Sequence, residues 1–290
     1  MNTQQKYDIS VIIPAYNEEK SISETIEQIN KVLYGRNFEI IVVDDGSKDN
    51  TAKIAQEHEC HVLKHEQNRG YGASLKSGIR LAKSDIIAIT DADGTYPNER
   101  LPELLDLLPE YDMVVGARTG SKVHISLIRR PAKWVLGLLA NYLTGTKIPD
   151  LNSGLRVFKK EIPEKYWGIF PNGFSFTTTI TMASLCNNFL VKYIPIDYYK
   201  REGKSKIRPI SDTIGFFSLI MRTILYFNPL KIFLPLSIFI FLLGLVVMFY
   251  TAFVIGRVMD ISVIVILLSS MQILAIGLIA DIIVKRGGFK

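Results

Sequence analysis

The segment "DADGTYP" (Asp91–Pro97) places two carboxylates one residue apart, directly after the apolar run "IIAIT". Side chains at positions i and i+2 of an extended strand point to the same face, so Asp91 and Asp93 would lie close together and repel each other. Carboxylate oxygens are preferred ligands of Mg²⁺ and Mn²⁺, and a bound cation would offset that repulsion. The spacing therefore predicts a divalent metal ion between the two acids, carrying a diphosphate. The alternative is that each acid only caps the turn after it.

Short apolar runs alternate with helical patterns over residues 8 to about 116. This alternation is typical of an α/β protein with a mostly parallel sheet and helices on both faces. Ligands bind such sheets at the carboxyl ends of the strands, so the loops there should carry the chemistry. The predicted strands are Ile9–Ile13, Phe38–Val43, Ile86–Thr90 and Met113–Gly116, and the polar loops after them are "PAYNEE" (Pro14–Glu19), "DDGSKDNT" (Asp44–Thr51), "DADGTYP" and "ARTGSK" (Ala117–Lys122).

Three helices are predicted between these strands. The second spans about Asn50–Glu57 and the third about Tyr71–Ala82, and Asp49 is interpreted as a cap of the second. Ser21 and Glu24 have the spacing of a capping box at the start of the first helix. The first helix also has an apolar stripe that would face the core, formed by Ile22, Ile26, Ile29 and Leu33.

Two uncharged segments near the carboxyl terminus predict transmembrane helices. Ile232–Gly256 has 25 residues and Ile261–Ala280 has 20, and about 20 apolar residues span a bilayer. The alternative, a pair of buried core helices, fits poorly because neither segment has a polar face. Positive flanks mark the cytoplasmic side, so the pattern predicts a hairpin in the cytoplasmic membrane with the N-terminal domain in the cytoplasm. These flanking residues are Arg222, Lys231, Lys285, Arg286 and Lys290.

The N-terminus and the cysteines indicate the same compartment. The first ten residues contain no apolar run, so no signal peptide is expected. Cys60 and Cys186 are far apart in the sequence, and they are predicted to be free thiols in a reducing environment.

A basic segment precedes the first predicted span. Residues 197–208 contain five basic and two acidic residues, a net charge of +3, with tyrosines interleaved. The amphipathic stretch Thr213–Phe227 follows and is predicted to lie in the membrane interface. The basic side chains could bind anionic lipid headgroups or hold the phosphate of a lipid acceptor, and both interpretations stay open. The net charge of +6 is better explained by anionic lipid than by nucleic acid.

The order of the motifs resembles family 2 glycosyltransferases of the GT-A fold. The motifs are "VIIPAYNEE", "VVDDGSKDNT", "NRGYGASLKSG", "DADGTYP" and "GAR". Further along, "DLNSGLR", "GFSF" and "REGKSK" are similar to the polyprenyl-phosphate branch, which includes dolichyl-phosphate mannose synthase, and the two spans resemble its membrane-anchored bacterial members. The resemblance covers roughly residues 8–210. It implies a Rossmann-like catalytic domain over residues 1–210, an interfacial helix over 211–230 and a transmembrane hairpin over 231–290.

The resemblance also implies roles for individual residues. The nucleotide-sugar would contact Pro14, Tyr16, Glu18, Asp44, Asp45, Asp91 and Ala92. Asp91 and Asp93 would hold Mg²⁺ or Mn²⁺, and Arg118 would reach the sugar or the diphosphate. The acceptor phosphate would contact Ser153, Lys200, Arg201, Ser205 and Lys206, with Gly154 shaping the same site. The catalytic group would be Asp91, Asp93, Arg118, Arg201 and Lys206.

Two positions depart from the family pattern. Relatives of the mannose synthase often have a metal-binding Gln two residues after the second Asp, where this chain has Thr95. The basic motif has Lys200 where an Arg is usual, with Arg201 one place later. Whether Thr95 contributes to the metal site, and which of the two basic residues contacts phosphate, stay open.

The acceptor suggested by the resemblance simplifies the chemistry. A phosphate monoester has a second pKa of about 6, so it is largely ionised near pH 7 and needs no general base. It would displace a nucleoside diphosphate in line and invert the anomeric centre, forming a polyprenyl-phosphate sugar. None of the four histidines is then required. The donor would be a UDP- or GDP-sugar, with a preference for uridine, while the sugar, the polyprenol length and any homo-oligomer stay open.

Two sequence features are interpreted as structural. "HECHVLKH" does not have the spacing of a zinc site. "RGYGASLKSG" is not a recognised phosphate loop, and Gly70 and Gly72 are expected to allow a tight entry into the third helix.

Two other functions compete with transfer to a lipid phosphate. A processive polysaccharide synthase would need more spans and a Q-x-x-R-W motif, which this sequence lacks. A catalytically silent nucleotide-sugar-binding protein would not need the Asp91–Asp93 pair.

Overall fold

The computed structural model describes residues 7–120, 130–173, 175–199, 225–226, 228–256 and 261–287. It divides into two compact units, Met1–Leu219 and Ile220–Lys290. The predicted boundaries at residues 210 and 230 stay predictions.

The first unit is built on a seven-stranded sheet. Its strands are β1 (Ile9–Ala15), β2 (Phe38–Asp44), β3 (His61–Lys64), β4 (Ile86–Ile89), β5 (Met113–Ala117), β6 (Arg156–Lys159) and β7 (Val191–Pro195). Its α-helices are α1 (Ile22–Val32), α2 (Thr51–Gln56), α3 (Tyr71–Leu81), α4 (Leu101–Asp106), α5 (Arg130–Thr144), α6 (Glu161–Lys165) and α7 (Phe176–Cys186). Short 3-10 helices lie at Asn98–Arg100 and Trp167–Ile169.

The strand order is β3-β2-β1-β4-β6-β5-β7. β1, β2, β3 and β4 are parallel to one another, β5 is parallel to β7, and β6 is antiparallel to both β4 and β5. The prediction of a mostly parallel sheet is therefore confirmed. The chain moves from β1 to β2 and β3 on one side and returns to β4 on the other, so the loops after β1 and β4 diverge, as at ligand-binding crevices of such sheets.

The reversal of β6 determines which segments meet at the functional edge. Because β6 is antiparallel, its first residue, Arg156, pairs with Ile89 at the end of β4 and with Val115 near the end of β5. The segment before β6 therefore reaches the edge where β1, β2, β4 and β5 end. That segment contains Ser153 and Gly154.

The core explains why these elements form. β1 and β5 are buried along their whole length, as expected for strands covered on both faces. The predicted stripe of α1 is confirmed, since Ile22, Ile26, Ile29 and Leu33 are each 0% exposed. The predicted capping box is wrong: Ser21 makes no side-chain cap bond, and Glu24 instead accepts a hydrogen bond from Gln28 one turn later.

Most predicted elements are confirmed within one or two residues. The apolar, proline-entered stretch "SLIRRPAKWVLGLLANYL" (Ser126–Leu143), whose pattern also predicts a helix, contains α5, while residues 121–129 lie outside the described part of the chain. Elements that were not predicted include the short strands β6 and β7 and the helices α4, α6 and α7. The first seven residues of α7, "FTTTITM", include four threonines, which have low helix propensity. All seven residues are buried, so the segment has no amphipathic pattern that would predict a helix.

The second unit contains two long helices, α8 (Leu230–Tyr250) and α9 (Ile261–Gly287). A π-helical turn, Thr251–Ile255, extends α8. By length and composition, Leu230–Val254 and Ile261–Val284 are apolar enough to cross a membrane, as the sequence predicted. The helices pack closely at two glycines: a Cβ at Gly244 would lie 2.8 Å from Leu267, and one at Gly277 would lie 2.4 Å from Phe233.

Candidate active site

The predicted metal pair lies in the loop after β4, at the carboxyl edge of the sheet. Asp91 and Asp93 are both partly buried, and Ala92 between them is buried in the core. The Oδ1 atom of Asp93 accepts a hydrogen bond from the Thr95 hydroxyl at 2.6 Å and from the Thr95 backbone amide at 3.2 Å. Thr95 therefore fixes the position of Asp93.

Asp91 is positioned from two sides. The Tyr71 hydroxyl, at the start of α3, donates a hydrogen bond to Asp91 Oδ1 at 2.9 Å. Burial raises the pKa of Tyr71 and the charge of Asp91 raises it further, so the phenol keeps the proton that it donates. On the other side lies Gly154, where a Cβ would come within 2.9 Å of both Asp91 carboxylate oxygens. A side chain at position 154 would therefore collide with the carboxylate.

Arg118, at the end of β5, forms a bidentate ion pair with Asp150. Its Nε and Nη2 atoms donate to the two carboxylate oxygens at 2.7 and 2.9 Å, and its backbone amide donates at 3.1 Å. Burial acts to lower the pKa of Arg118, but Tyr96 and Asp150 outweigh it and hold the pKa above its ordinary value. The pair ties the segment Asp150–Gly154 to the sheet, and the predicted contact of Arg118 with the sugar or diphosphate stays a prediction.

Two tyrosines contact Arg118 or the segment that it holds. The Tyr96 hydroxyl accepts a hydrogen bond from the Gly154 backbone amide at 2.7 Å. The Tyr198 ring packs edge-on against Tyr96, with centroids 5.2 Å apart, and the Arg118 guanidinium lies 5.1 Å from the Tyr198 ring. Together with Tyr71, these tyrosines place Asp91, Arg118 and Gly154 in one polar cluster. The sequence reasoning assigned no role to any of the three.

The loops after β1 and β2 are joined by hydrogen bonds between them. The Asn17 amide donates to the Ser47 hydroxyl at 2.9 Å, and the Lys48 amide donates to the Asn17 side chain at 2.8 Å. The Glu18 amide donates to the Thr51 hydroxyl at 2.8 Å. Pro14 lies at the end of β1 and is buried, whereas Tyr16 is partly buried. These contacts bring the predicted nucleotide residues of the two loops together.

Asp44 and Asp45 have different surroundings. Asp45 is 4% exposed, and its carboxylate accepts bonds from the His65 ring at 2.7 Å and from the backbone amides of Arg69 and Gly70 at 2.9 and 2.8 Å. Asp44 is fully buried; its Oδ1 accepts from the Ser47 amide at 3.3 Å, while its Oδ2 has no hydrogen-bond partner within the described residues. Asp45 therefore holds the start of α3 in place, and a contact of either acid with a base stays a prediction.

The backbone amides at the start of α3 are bonded to carbonyl groups of another segment of the same chain. The Gly72 and Ala73 amides donate to the carbonyls of Gly173 and Asn172 at 3.2 and 2.9 Å. A Cβ at Gly72 would lie 2.3 Å from the Pro171 carbonyl oxygen, so only glycine fits. The interpretation of "RGYGASLKSG" as a tight helix entry rather than a phosphate loop agrees with this arrangement.

Ser153 and Arg156 brace the segment that was predicted to shape the acceptor site. The buried Ser153 hydroxyl donates to the Gly116 carbonyl of β5. Arg156 is fully buried and donates to the Ser153 carbonyl, to the Thr177 carbonyl at 3.1 Å and to the Thr181 hydroxyl at 3.0 Å. It therefore links this segment to α7. Arg156 is the last residue of "DLNSGLR", but nothing in that motif indicates this role.

Several predicted site residues lie outside the described part of the chain. They are Lys200, Arg201, Ser205 and Lys206, together with nearly all of the predicted interfacial helix. Their assignments stay predictions.

The donor set at Asp91 and Asp93 fits a hard divalent cation. Both side chains offer carboxylate oxygens in one loop, and the described residues contain no group of three or more His, Cys, Asp or Glu side chains that could hold a metal ion. Mg²⁺ is commonly bound by one or two carboxylates together with substrate phosphates.

The architecture is that of the GT-A class. The structure of glucosyl-3-phosphoglycerate synthase from Mycobacterium tuberculosis in complex with UDP matches with a TM-score of 0.59 and 20% sequence identity. The match covers 75% of this chain and 80% of that one. At this identity the likeness shows the fold.

The sequence defines the family within this class. The glycosyl transferase family 2 model matches residues 10–167, and the chain belongs to that family. A second model, described as the GtrB C-terminal hairpin, matches residues 228–285. The recognition of the family from its ordered motifs is confirmed.

Two relatives indicate the branch. The chain is 30% identical over 206 residues to a dolichyl-phosphate hexose transferase of Haloferax volcanii, covering 70% of this chain and 88% of the relative. It is 33% identical over 164 residues to an undecaprenyl-phosphate 4-deoxy-4-formamido-L-arabinose transferase of Yersinia enterocolitica, covering 54% of this chain and 50% of that protein. The chain thus spans about half the length of the second relative.

Proposed function

We propose that the chain transfers a single sugar from a nucleotide-sugar to a polyprenyl phosphate at the membrane surface, with inversion at the anomeric carbon. The observation that carries this proposal is the close approach of Gly154 to Asp91, which joins the predicted acceptor segment to the predicted diphosphate site. Two helices of membrane-spanning length and the dolichyl- and undecaprenyl-phosphate relatives support it.

The donor side would be formed by the loops after β1, β2 and β4. The nucleoside would lie between the first two loops, near Tyr16 and Asp45, because their hydrogen bonds hold these loops side by side. Asp91 and Asp93 would hold Mg²⁺ or Mn²⁺, which when bound neutralises charge that develops on the departing nucleoside diphosphate. Tyr71 and Thr95 keep the two carboxylates in place.

The acceptor side needs alignment rather than a base. A lipid phosphate is already ionised near pH 7, so its oxygen can attack the anomeric carbon without first losing a proton. The chain would hold that oxygen in line with the departing diphosphate. The Arg118–Asp150 pair and Arg156 fix the segment Asp150–Gly154, while Arg201 and Lys206 would hold the phosphate.

The sequence flanks support one membrane arrangement. The basic residues on both sides of the hairpin favour an orientation in which its two ends, and the catalytic unit, would lie at the cytoplasmic face. The acceptor phosphate would then be presented from the same leaflet.

The test uses membranes that contain the full-length chain. They are incubated with labelled UDP- and GDP-sugars in the presence of Mn²⁺ or Mg²⁺ and extracted with organic solvent. We expect label in a short lipid-soluble product that mild acid cleaves. Label found only in insoluble polymer would instead indicate a processive synthase, and no labelled product with any donor would indicate a silent binding protein.

A further inference from the structure

Thr95 contacts the metal pair on one side. It is fully buried, and its hydroxyl donates to Asp93 Oδ1 at 2.6 Å. A hydroxyl has one proton to donate and two lone pairs that accept, so the proton of Thr95 is used on Asp93. Thr95 is also β-branched, which restricts its side-chain rotamers. The position of Asp93 is therefore tied to the position of Thr95.

Thr95 contacts the segment after β7 on its other side. The Tyr199 amide donates to the Thr95 carbonyl at 2.9 Å. Tyr198 directly precedes this amide in the chain, and its ring packs against Tyr96, the residue that follows Thr95. Hydrogen bonds thus connect the Tyr199 backbone to Thr95 and Thr95 to Asp93.

The Tyr198 ring reaches both ends of the predicted acceptor segment. It packs against Tyr96, whose hydroxyl holds the Gly154 amide at 2.7 Å. It also lies 5.1 Å from the Arg118 guanidinium, which pairs with Asp150. The Tyr198 ring therefore contacts the groups that hold the acceptor segment, and the backbone of the next residue is bonded to Thr95, which holds Asp93.

We propose that Thr95 and Tyr198 are positioning residues that couple the two halves of the site. A lipid phosphate bound against the segment Asp150–Gly154 would strengthen binding of a metal–nucleoside diphosphate at Asp93. By linkage, the nucleotide strengthens binding of the lipid phosphate by the same factor. The inference rests on the proposed function, and it gives Thr95 a role other than that of a metal ligand.

The test measures this coupling directly. Mn²⁺–UDP and Mn²⁺–GDP are titrated into the full-length chain in nanodiscs, with and without undecaprenyl phosphate. For the nucleotide that binds, we expect undecaprenyl phosphate to lower the Kd at least about 5-fold in the wild type. In Thr95→Val the factor should fall below about 2-fold, and Tyr198→Ala, which removes the ring, should give the same loss. Thr95→Ser, which keeps the hydroxyl, should restore the coupling.

Thr90→Val is the matched control. Thr90 is also fully buried, and its hydroxyl donates to the Asn98 side chain at 2.7 Å, away from Tyr198. This variant should keep the wild-type coupling factor. The inference is overturned if the wild type shows no coupling, if Thr95→Val retains it, or if Thr90→Val loses it equally. Should Thr95→Val fail to fold, Tyr198→Ala decides the question.

The proposed function and the coupling fail in different ways. If the wild type forms labelled lipid product but undecaprenyl phosphate does not change its Kd for the nucleotide, only the inference is refuted. Absence of both lipid product and nucleotide binding would refute the proposed function itself.

Discussion

Two acidic loops at the same edge of the sheet use their carboxylates differently. In the loop after β2, Asp45 is 4% exposed and bonds to the His65 ring and to two backbone amides, while Asp49 bonds to the amide and hydroxyl of Thr51 at the start of α2. In the loop after β4, Asp91 and Asp93 are partly buried, and side-chain hydroxyls bond to them.

The difference separates acids that shape the backbone from acids that can meet a ligand. A carboxylate that accepts several amide bonds fixes the path of a loop, and its removal is felt as a loss of stability. A carboxylate held mainly by hydroxyl groups can change partners when a cation arrives. Substitutions in the two loops should therefore have different consequences.

Asp93→Asn should give the largest loss of function. The amide lacks the charge that would bind the metal, so we expect labelled lipid product to fall at least about 100-fold, to below detection. The melting temperature and the membrane insertion should stay those of the wild type. Substantial remaining sugar transfer by this variant would contradict the assignment of Asp93 to the active site. Asp106→Asn is the control. Asp106 forms an exposed ion pair with Arg36, so this variant should keep full activity.

Asp45→Asn should act mainly on stability. Its carboxylate loses charge-assisted bonds to two amides and a buried histidine, which predicts a loss of about 2–4 kcal/mol in the free energy of unfolding. The melting temperature of the solubilised chain should drop by at least about 5 °C, measured by circular dichroism. An unchanged melting temperature together with lost nucleotide binding would show instead that Asp45 acts on the ligand.

Gly72→Ala should disturb both loops together. Gly70 bonds to Asp45 and Tyr71 bonds to Asp91, so the start of α3 connects the two acids. The added Cβ would collide with the Pro171 carbonyl, which predicts destabilisation of about 1–3 kcal/mol in thermal melts. Gly137→Ala is the control: nothing lies within 4 Å of its added Cβ, and alanine favours its helix, so stability should stay equal or rise.

Tyr71→Phe should have the smallest effect. It removes one hydrogen bond to Asp91 but keeps the ring, so we expect kcat/KM to fall about 10-fold while stability changes little. Initial rates of lipid-product formation at several Mn²⁺ concentrations would measure this. Tyr34→Phe is the control, since Tyr34 is 89% exposed. A decrease in the control of the same size would contradict the assigned role of the Tyr71 hydroxyl.

The sequence predicted the elements that have strong periodicity or long apolar runs. The strands β1, β2, β4 and β5, the helices α1 to α3 and both membrane-length helices belong to this set. The sequence could not predict β6, because the four residues "RVFK" are too few to indicate which strands they pair with or whether the pairing is parallel or antiparallel. Without that reversal, nothing places Gly154 beside Asp91.

The candidate site was predicted equally unevenly. The Asp91–Asp93 spacing predicts a metal pair because two carboxylates at i and i+2 can lie on one face of the chain, and metal binding by the pair stays a prediction. The contacts of Tyr71, Tyr96 and Tyr198 depend on how α3 and β7 pack against the β4 loop, and tyrosines at such positions have no sequence signal that differs from ordinary core residues. The same is true of Arg156, whose partners are mostly backbone carbonyls.

The central position of β6 also has a consequence for the order of assembly during synthesis. This strand lies between β4 and β5, which both precede it in the chain, so the middle of the sheet cannot close until Lys159 has left the ribosome. The β1 to β4 half has all of its strands by Ile89. A nascent chain halted between these two points would contain the β1 to β4 half beside an open sheet edge, which a chaperone or the rest of the chain must cover.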